Sequence, residues 1–181
     1  NTLYSWSSPI ISPIGAITGG SAQSVNQNSI SQTLINVTDQ LATATYMVTP
    51  KSGTCTGTPF TVVITVNPSA KVAFSEENQA ICTGTNTLPV VLTSATTGNV
   101  TFNWIANVPA GITGVTSLTG TNTIPVQNLI NTTTSPLIVT YTSTATLDNN
   151  GVSCNGVPFI YSIMVYPPII ITTNEEKHIT C

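Results

Sequence analysis

The sequence predicts an all-β protein made of tandem Greek-key β-sandwiches arranged end to end. Two observations lead to this prediction: segments in which apolar and hydroxyl side chains alternate, and a long internal repeat. Threonine fills 34 of the 181 positions, and 40% of the residues are hydrophobic. Threonine, valine and isoleucine branch at Cβ and suit half-buried strands. No stretch keeps the 3.6-residue period of an amphipathic helix, so we expect essentially no helix.

The last third of the chain repeats the first third ninety-nine positions later. The residues that recur are Cys55, Gly57, Pro59, Phe60, Ile64, Val66, Pro68, Glu76, Glu77 and Cys82, as Cys154, Gly156, Pro158, Phe159, Ile163, Val165, Pro167, Glu175, Glu176 and Cys181. Trp6 corresponds to Trp104 at an offset of ninety-eight, and Tyr46 to Tyr141 at ninety-five. A fixed period with small changes in loop length indicates an array of similar modules of about 100 residues.

The repeat places the module boundaries at the prolines that end each last strand, Pro68 and Pro167. We expect a first module over 1–68, a complete second module over 69–167, and a linker with the start of a third over 168–181. The first copy opens at its tryptophan strand, so its first two strands are missing from this sequence. They either precede Asn1 in the parent chain or are supplied by another segment.

Alternation predicts the strands and turn residues predict the hairpins. From Ala42 to Thr49, one face carries Ala42, Ala44, Tyr46 and Val48, whereas the other is mostly threonine. The turns at 51–53 and 148–151 each join two strands, and Asn150-Gly151 is a strong hairpin signal. The second loop is expected to be four residues longer than the first, which accounts for the change in offset.

A tryptophan on the third strand and a tyrosine on the penultimate one are typical of an immunoglobulin-type sandwich of about seven strands. We therefore assign Trp6, Trp104, Tyr46 and Tyr141 to the structural core. The alternative is that the two indole rings lie exposed and stack on sugars.

Composition excludes several classes of function. Charged residues make up 5% of the chain, with 3 Lys plus Arg against 6 Asp plus Glu. A nucleic-acid binder or a polybasic membrane-surface patch needs many more cations. No apolar run is long enough to span a membrane, so we expect no direct membrane insertion. Since the only histidine is His178 and no Gly-x-Ser-x-Gly turn occurs, we expect no catalysis.

Metal sites and cofactors are not expected either. Calcium prefers six to eight oxygen ligands, but Glu76-Glu77, Glu175-Glu176 and the loop at Asp148 offer few carboxylates. Neither module has enough cysteine and histidine side chains to form a zinc site. The sequons that start at Asn36, Asn99 and Asn131 are expected by chance in a chain this rich in Asn and Thr, so they carry little weight.

Four cysteines, Cys55, Cys82, Cys154 and Cys181, occupy equivalent positions in the repeat. Recurring cysteines in a Thr-rich, Lys-poor chain favour an oxidising, extracellular setting, although inert buried thiols are the alternative. Cys82 could pair with Cys154 inside one module. Greek-key order argues against this pairing because it places the two positions at opposite poles, and it makes a bond between consecutive modules possible, with partners outside this sequence. Both pairings remain open.

The motifs together resemble those of a known family. They are Ile81-Cys82-Thr83-Gly84-Thr85 at the start of a module, Phe102-Asn103-Trp104 on its third strand, and the runs 45–50, 55–62 and 66–68. The chain resembles the PKD-like repeats of very large surface proteins of the Bacteroidota, including the SprB-type mobile adhesins of gliding bacteria. The resemblance covers essentially the whole chain.

The resemblance implies an extracellular filament on the bacterial cell surface, exported by type IX secretion, that takes part in gliding motility or attachment. It implies no catalytic residues. The expected partners are neighbouring repeats of the same chain, with surface polysaccharides or other cell-surface proteins as further candidates. The alternative function is a carbohydrate-binding accessory module of a secreted glycan-degrading enzyme.

Overall fold

A computed structural model describes residues 1–169, and it is all-β with no helix in that range. The strands of the first repeat are β1 Thr2–Trp6, β2 Ile10–Ser12, β3 Ile17–Thr18, β4 Gln23–Gln27, β5 Ile35–Asn36, β6 Ala42–Ser52, β7 Cys55–Thr56 and β8 Phe60–Val66. The strands of the second repeat are β9 Ala73–Phe74, β10 Gln79–Cys82, β11 Val90–Thr93, β12 Asn99–Asn107, β13 Ile112–Thr113, β14 Thr119–Thr121, β15 Thr123–Ile124, β16 Ile130–Asn131, β17 Leu137–Asn149, β18 Val152–Asn155 and β19 Phe159–Tyr166.

Strand β6 is the centre of the first repeat. It pairs with β1 and β2, and also with β7 and β8, while β4 extends the sheet beyond β1. The short pair β3–β5 forms a separate sheet. The alternating side chains Ala42, Ala44, Tyr46 and Val48 are all buried, as the sequence pattern predicts. Because successive strand residues point to opposite faces, this alternation gives β6 one buried and one solvated face.

The second repeat contains a sheet equivalent to the β6 sheet of the first repeat, with additional strands. Its main sheet has the order β10-β19-β17-β12-β14, with β18 also on β17. A second sheet has the order β15-β11-β9, and β13–β16 is the counterpart of β3–β5. Strand β10 pairs with β19 in parallel, from Gln79 opposite Ile163 to Cys82 opposite Tyr166. The strands form an immunoglobulin-like β-sandwich, with more elements than the seven expected because several strands have only two or three residues.

The prediction from sequence that the second long hairpin has a longer loop than the first is wrong. Ser52 pairs with Cys55, and Asn149 pairs with Val152, so both hairpins turn through two residues. The second loop is therefore no longer than the first. The four extra residues lengthen the two arms, since Leu147 opposite Cys154 corresponds to Ser52 opposite Cys55. Asn150 and Gly151 both have positive φ (51° and 79°), as a tight Asn-Gly hairpin turn requires.

The chain divides into two compact units that interleave along the sequence. The first contains Asn1–Ala73, Leu92–Asn103 and Thr144–Phe159. The second contains Phe74–Val91, Trp104–Ser143 and the residues from Ile160 onward. The boundaries at 68 and 167 remain a prediction, and most of the predicted segment 168–181 lies outside the described residues.

One buried asparagine in each repeat joins a turn to the last strand. Asn131 is 1% exposed; its Nδ2 donates to the backbone oxygens of Ser135 (2.8 Å) and Val165 (2.9 Å). Its Oδ1 accepts from the Thr133 backbone N–H (2.9 Å) and hydroxyl (2.8 Å). We call this arrangement the Asn131 turn. Every hydrogen-bonding group of the carboxamide is in use, so its burial carries no unpaired polar atom.

The first repeat contains the same arrangement, the Asn36 turn. Asn36 Nδ2 donates to the backbone oxygens of Gln40 (2.7 Å) and Val66 (2.9 Å), and Oδ1 accepts from Thr38. Two sequons that the sequence interpretation discounted are thus structural turns. Because both amide hydrogens are bonded in the buried carboxamide, neither asparagine is available for glycosylation in the folded chain.

Replacing Asn131 by alanine is expected to lower the free energy of unfolding by about 2–4 kcal/mol, because the change leaves the buried Val165 oxygen without its partner. Asn99→Ala is the matched control, since Asn99 also starts a sequon but is exposed, and it should change stability by less than about 0.5 kcal/mol. Urea denaturation followed by tryptophan fluorescence measures both. Equal effects of the two changes would contradict the structural role of the Asn131 turn.

Candidate functional site

The tryptophan and tyrosine side chains occupy the interior of each repeat. Trp6 and Trp104 are 7% and 2% exposed, and Tyr46 and Tyr141 are 1% and 0% exposed. Each indole Nε1 donates to a backbone oxygen at 3.1 Å, that of Ser21 or Thr123. Trp104 and Tyr141 pack edge to face with ring centroids 5.6 Å apart. Rings that are buried and hydrogen-bonded in this way do not offer an open face for stacking on a sugar.

A glutamine satisfies the tyrosine hydroxyl in each repeat. The Tyr46 hydroxyl donates to Gln32 Oε1 at 2.6 Å, and Gln127 Nε2 donates to the Tyr141 hydroxyl at 2.8 Å. The sequence interpretation missed both glutamines. Gln32 and Gln127 stand ninety-five positions apart, the same offset as the two tyrosines, and this was the signal that could have identified them. The pair is a repeated core element, since a buried tyrosine hydroxyl needs a partner.

The structure describes Cys55, Cys82 and Cys154 without a disulfide bond between them, and Cys181 lies outside the described residues. Cys55 and Cys82 are exposed, whereas Cys154 is partly buried. Cys55 and Cys154 occupy the same place in their hairpins, and Cys82 ends β10 beside Tyr166. Both disulfide pairings considered from the sequence stay predictions.

No group of three or more His, Cys, Asp or Glu side chains within residues 1–169 lies close enough together to hold a metal ion. The backbone oxygen of Glu77 accepts a hydrogen bond from the Tyr161 hydroxyl at 2.8 Å. No helix within the described part of the chain has the length and apolar character of a membrane span.

Several polar contacts lie around residues 67–72, which we call the junction segment; all the residues concerned belong to the first compact unit. Lys71 Nζ lies 2.5 Å from Asp39 Oδ1, and the Lys71 backbone N–H donates to Thr96 Oγ1 at 3.2 Å. The Asp39 backbone oxygen accepts from the Thr97 N–H at 2.9 Å. Because the ion pair is partly exposed, it contributes at most about 1 kcal/mol, and the backbone contacts matter more.

Both ends of the junction segment are held as well. Asn149 Nδ2 donates to Asn67 Oδ1 at 2.8 Å, and Pro68 and Ala70 are buried. A Cβ at Gly156 would overlap the backbone carbonyl of Ala70. Glycine at 156 therefore permits the close approach of two backbones, a role that no other residue can fill. The residues that fix the segment come from both sequence repeats, so residues 67–72 act as a structured connection.

A family model described as a PKD-like domain matches the chain twice, over residues 2–70 and 79–168. The chain belongs to the PKD-like domain family. Among curated proteins, no match to the chain was found.

Family membership fits the geometry of the two repeats. PKD-like domains are typically non-catalytic modules of extracellular proteins. The two PKD-like repeats of this chain share a tryptophan, a tyrosine–glutamine pair and an asparagine-centred turn, each of which stabilises the fold. Their shared residues therefore define a scaffold, and differences between the two repeats are the places to look for specific function.

The core tyrosines of the PKD-like repeats should make the protein sensitive to alkali. Burial raises the pKa of Tyr46, Tyr141 and Tyr161, and for Tyr141 the hydrogen bond with Gln127 partly opposes the increase. A raised folded-state pKa means that above about pH 10 the unfolded chain loses protons that the folded chain retains. The free energy of unfolding should thus be independent of these groups below that pH and fall above it.

Tyr141→Phe should make this alkaline decline shallower by as much as one proton, because phenylalanine cannot ionise. Urea denaturation at pH 8 to 11 measures the slope, and tyrosinate absorbance near 295 nm follows the titration. Tyr141→Phe also removes the hydrogen bond with Gln127. The resulting change in the free energy of unfolding is measured at pH 8, where tyrosine is not ionised, and is subtracted from the values at higher pH. An unchanged slope would exclude Tyr141 as a contributor.

Gly156→Ala should expose the junction segment to trypsin. The chain has lysines only at 51, 71 and 177 and no arginine, so cleavage after Lys71 gives a distinct fragment. We expect cleavage there to accelerate about tenfold or more as the segment opens. The matched control is Gly57→Ala, the equivalent position of the first repeat, where the nearest atom to a new Cβ is Pro50 Cγ at 3.0 Å. Equal acceleration by both variants would contradict a special role for Gly156.

Proposed function

We propose that this chain is a non-catalytic structural and adhesive part of a large secreted bacterial surface adhesin, of the kind that forms attachment or gliding filaments. The junction segment is the observation that carries this proposal. A flexible string of domains would need only a polar linker, but residues 67–72 make an ion pair, backbone hydrogen bonds and a close backbone approach. Such contacts suit a spacer that holds its form, because they limit the freedom of the connection.

The composition of the surface supports the adhesive half of the proposal. The exposed faces carry threonine and asparagine with few charges, and apolar side chains such as Ile14, Ile10 and Val157 are 99%, 75% and 78% exposed. Hydroxyl, amide and apolar groups make weak contacts that depend little on ionic strength, since salt screens only charges. A filament with many such repeats would multiply the weak contacts by avidity.

The carbohydrate-binding accessory module is the competing proposal. The burial of Trp6 and Trp104 weighs against it, because carbohydrate stacking requires an accessible aromatic face. Adhesion in the proposed sense needs no dedicated sugar pocket. Secretion by the type IX route and attachment at the bacterial cell surface belong to the proposal and rest on the family and on the sequence resemblance.

Two measurements test the proposed function. Tryptophan emission should show no saturable shift on titration with plant or algal polysaccharides, whereas a saturable blue shift or quenching would favour the carbohydrate-binding module.

In the second measurement, beads coated with the chain are pulled from glass and from apolar surfaces at 50 and 500 mM NaCl. The detachment force should change less than about twofold, because the contacts carry few charges. Beads coated with a highly charged protein of similar size are the control, and they should respond strongly to salt. Absence of adhesion to every surface would overturn the adhesive half of the proposal.

A further inference from the structure

The segment that contains Cys82 lies against two positions of its own repeat. Cys82 is exposed at the end of β10, opposite Tyr166 in the parallel pairing with β19. The next residue, Thr83, donates its backbone N–H to the Tyr166 oxygen at 3.0 Å, and its Oγ1 accepts from the Asn131 N–H at 2.8 Å. The Cys82 thiol therefore belongs to the end of the last strand, beside the Asn131 turn.

Cys154 lies against the equivalent two positions of the preceding repeat. It lines one cavity together with Asn67 and Asn36. Asn67 is equivalent to Tyr166 at the offset of ninety-nine, and Asn36 is equivalent to Asn131 at ninety-five. The hairpin that contains Cys154 is also hydrogen-bonded to the Asn67 side chain, and all the residues that make these contacts belong to the first compact unit. A Cys82-type cysteine and the hairpin cysteine of the following repeat thus meet the same two positions.

Within one repeat, by contrast, the two cysteine positions are far apart. In the first repeat, Cys55 pairs with Ser52 before β8 begins, whereas Asn67 follows the end of β8. The seven residues of β8 span about 20 Å, at roughly 3.3 Å per residue. A disulfide bond requires Cα atoms within about 7 Å of each other. The hairpin cysteine therefore cannot reach the Cys82-type position of its own repeat.

We propose that consecutive PKD-like repeats are joined by a disulfide bond between the Cys82-type cysteine of one repeat and the hairpin cysteine of the next. Cys154 is the partner toward the preceding repeat, and Cys82 is the partner toward the following one. The other cysteine of each bond comes from a neighbouring copy in the array that the sequence predicts.

The bond forms by thiol–disulfide exchange. The two thiols lose two protons and two electrons, and their sulfur atoms form one S–S bond. The electrons reduce a disulfide oxidant, such as oxidised glutathione or the oxidised dithiol of an oxidoreductase, to two thiols. The proposal follows from the positions of the cysteines and does not depend on the adhesive function, so either can fail without the other.

The first test asks whether Cys154 reaches the end of the preceding last strand. The full 181-residue chain carries Cys55→Ser, Cys82→Ser and Cys181→Ser, so that Cys154 is its only native thiol. Asn67→Cys then places a second thiol at the position that corresponds to Tyr166. In oxidised glutathione this variant should form an intramolecular bond, detected as a mass loss of about 2 Da for the two hydrogen atoms removed.

Thr61→Cys in the same background is the matched control. Thr61 is exposed at the start of β8, about 20 Å along the strand from Asn67, so its bond with Cys154 should form at least about tenfold more slowly. Near-ultraviolet circular dichroism verifies that both variants are folded. Equal rates in the two variants, or no bond between the introduced cysteine at 67 and Cys154, would overturn the proposal.

The second test maps the bonds in the native protein that contains this chain, purified without reductant. Thiols are blocked with iodoacetamide, and pepsin digestion at acidic pH prevents exchange before mass spectrometry. The peptide with Cys154 should be joined to an Ile-Cys-Thr-Gly peptide of another repeat, and the peptide with Cys82 to a hairpin peptide of another repeat. Alkylated thiols at Cys82 and Cys154, or a direct bond between these two residues, would exclude the proposed linkage.

Discussion

The last strand of each repeat depends on a single buried carboxamide. Asn36 and Asn131 bond the backbone oxygens of Val66 and Val165, and at the same time close a turn with Thr38 and Thr133. The carboxamide thus donates two hydrogen bonds and accepts two in a buried place. A charged side chain at this position would have to give up its hydration at a large free-energy cost. The last strand in turn contributes buried core side chains, Tyr161, Ile163 and Val165 in the second repeat, so the turn and the core stabilise each other.

This use of amides is general in the molecule. Many buried polar groups of the described residues bond to Asn, Gln, Thr or backbone atoms, as in the Tyr46–Gln32 and Tyr141–Gln127 pairs, whereas Gln127 Oε1 and Ser143 Oγ are buried without a hydrogen-bond partner. A protein with 5% charged residues cannot rely on ion pairs, and its stability should be correspondingly insensitive to salt. Tyrosine ionisation is the main way in which pH can act on such a core, because burial raises the pKa of Tyr46, Tyr141 and Tyr161.

The sequence predicted the parts of the fold that follow from periodicity. The alternation from Ala42 to Val48 and the Asn150-Gly151 turn have local causes, namely the two-residue period of a strand and the positive φ of the turn. The asparagine turns and the glutamines depend on contacts such as Asn131 with Val165, thirty-four positions apart, and local pattern does not contain that information. The hairpin length was wrong for a related reason: an offset counts inserted residues, but only strand pairing shows whether they enter a loop or the arms. Gly156 recurs in the repeat, but the requirement for glycine comes from the Ala70 carbonyl, which lies outside the hairpin that contains Gly156.

A repeat is informative where its copies cease to be equivalent. Gly57 and Gly156 occupy one motif position, and both N–H groups bond the same backbone oxygen of their hairpins, but only Gly156 lies against a junction segment. Similarly, β8 and β19 share their apolar positions, but within residues 1–169 β19 pairs with both β17 and β10, whereas β8 pairs with β6. In both cases the sequence motif is kept while the neighbouring segment of chain differs, so the surroundings of a motif position do not follow from the motif itself.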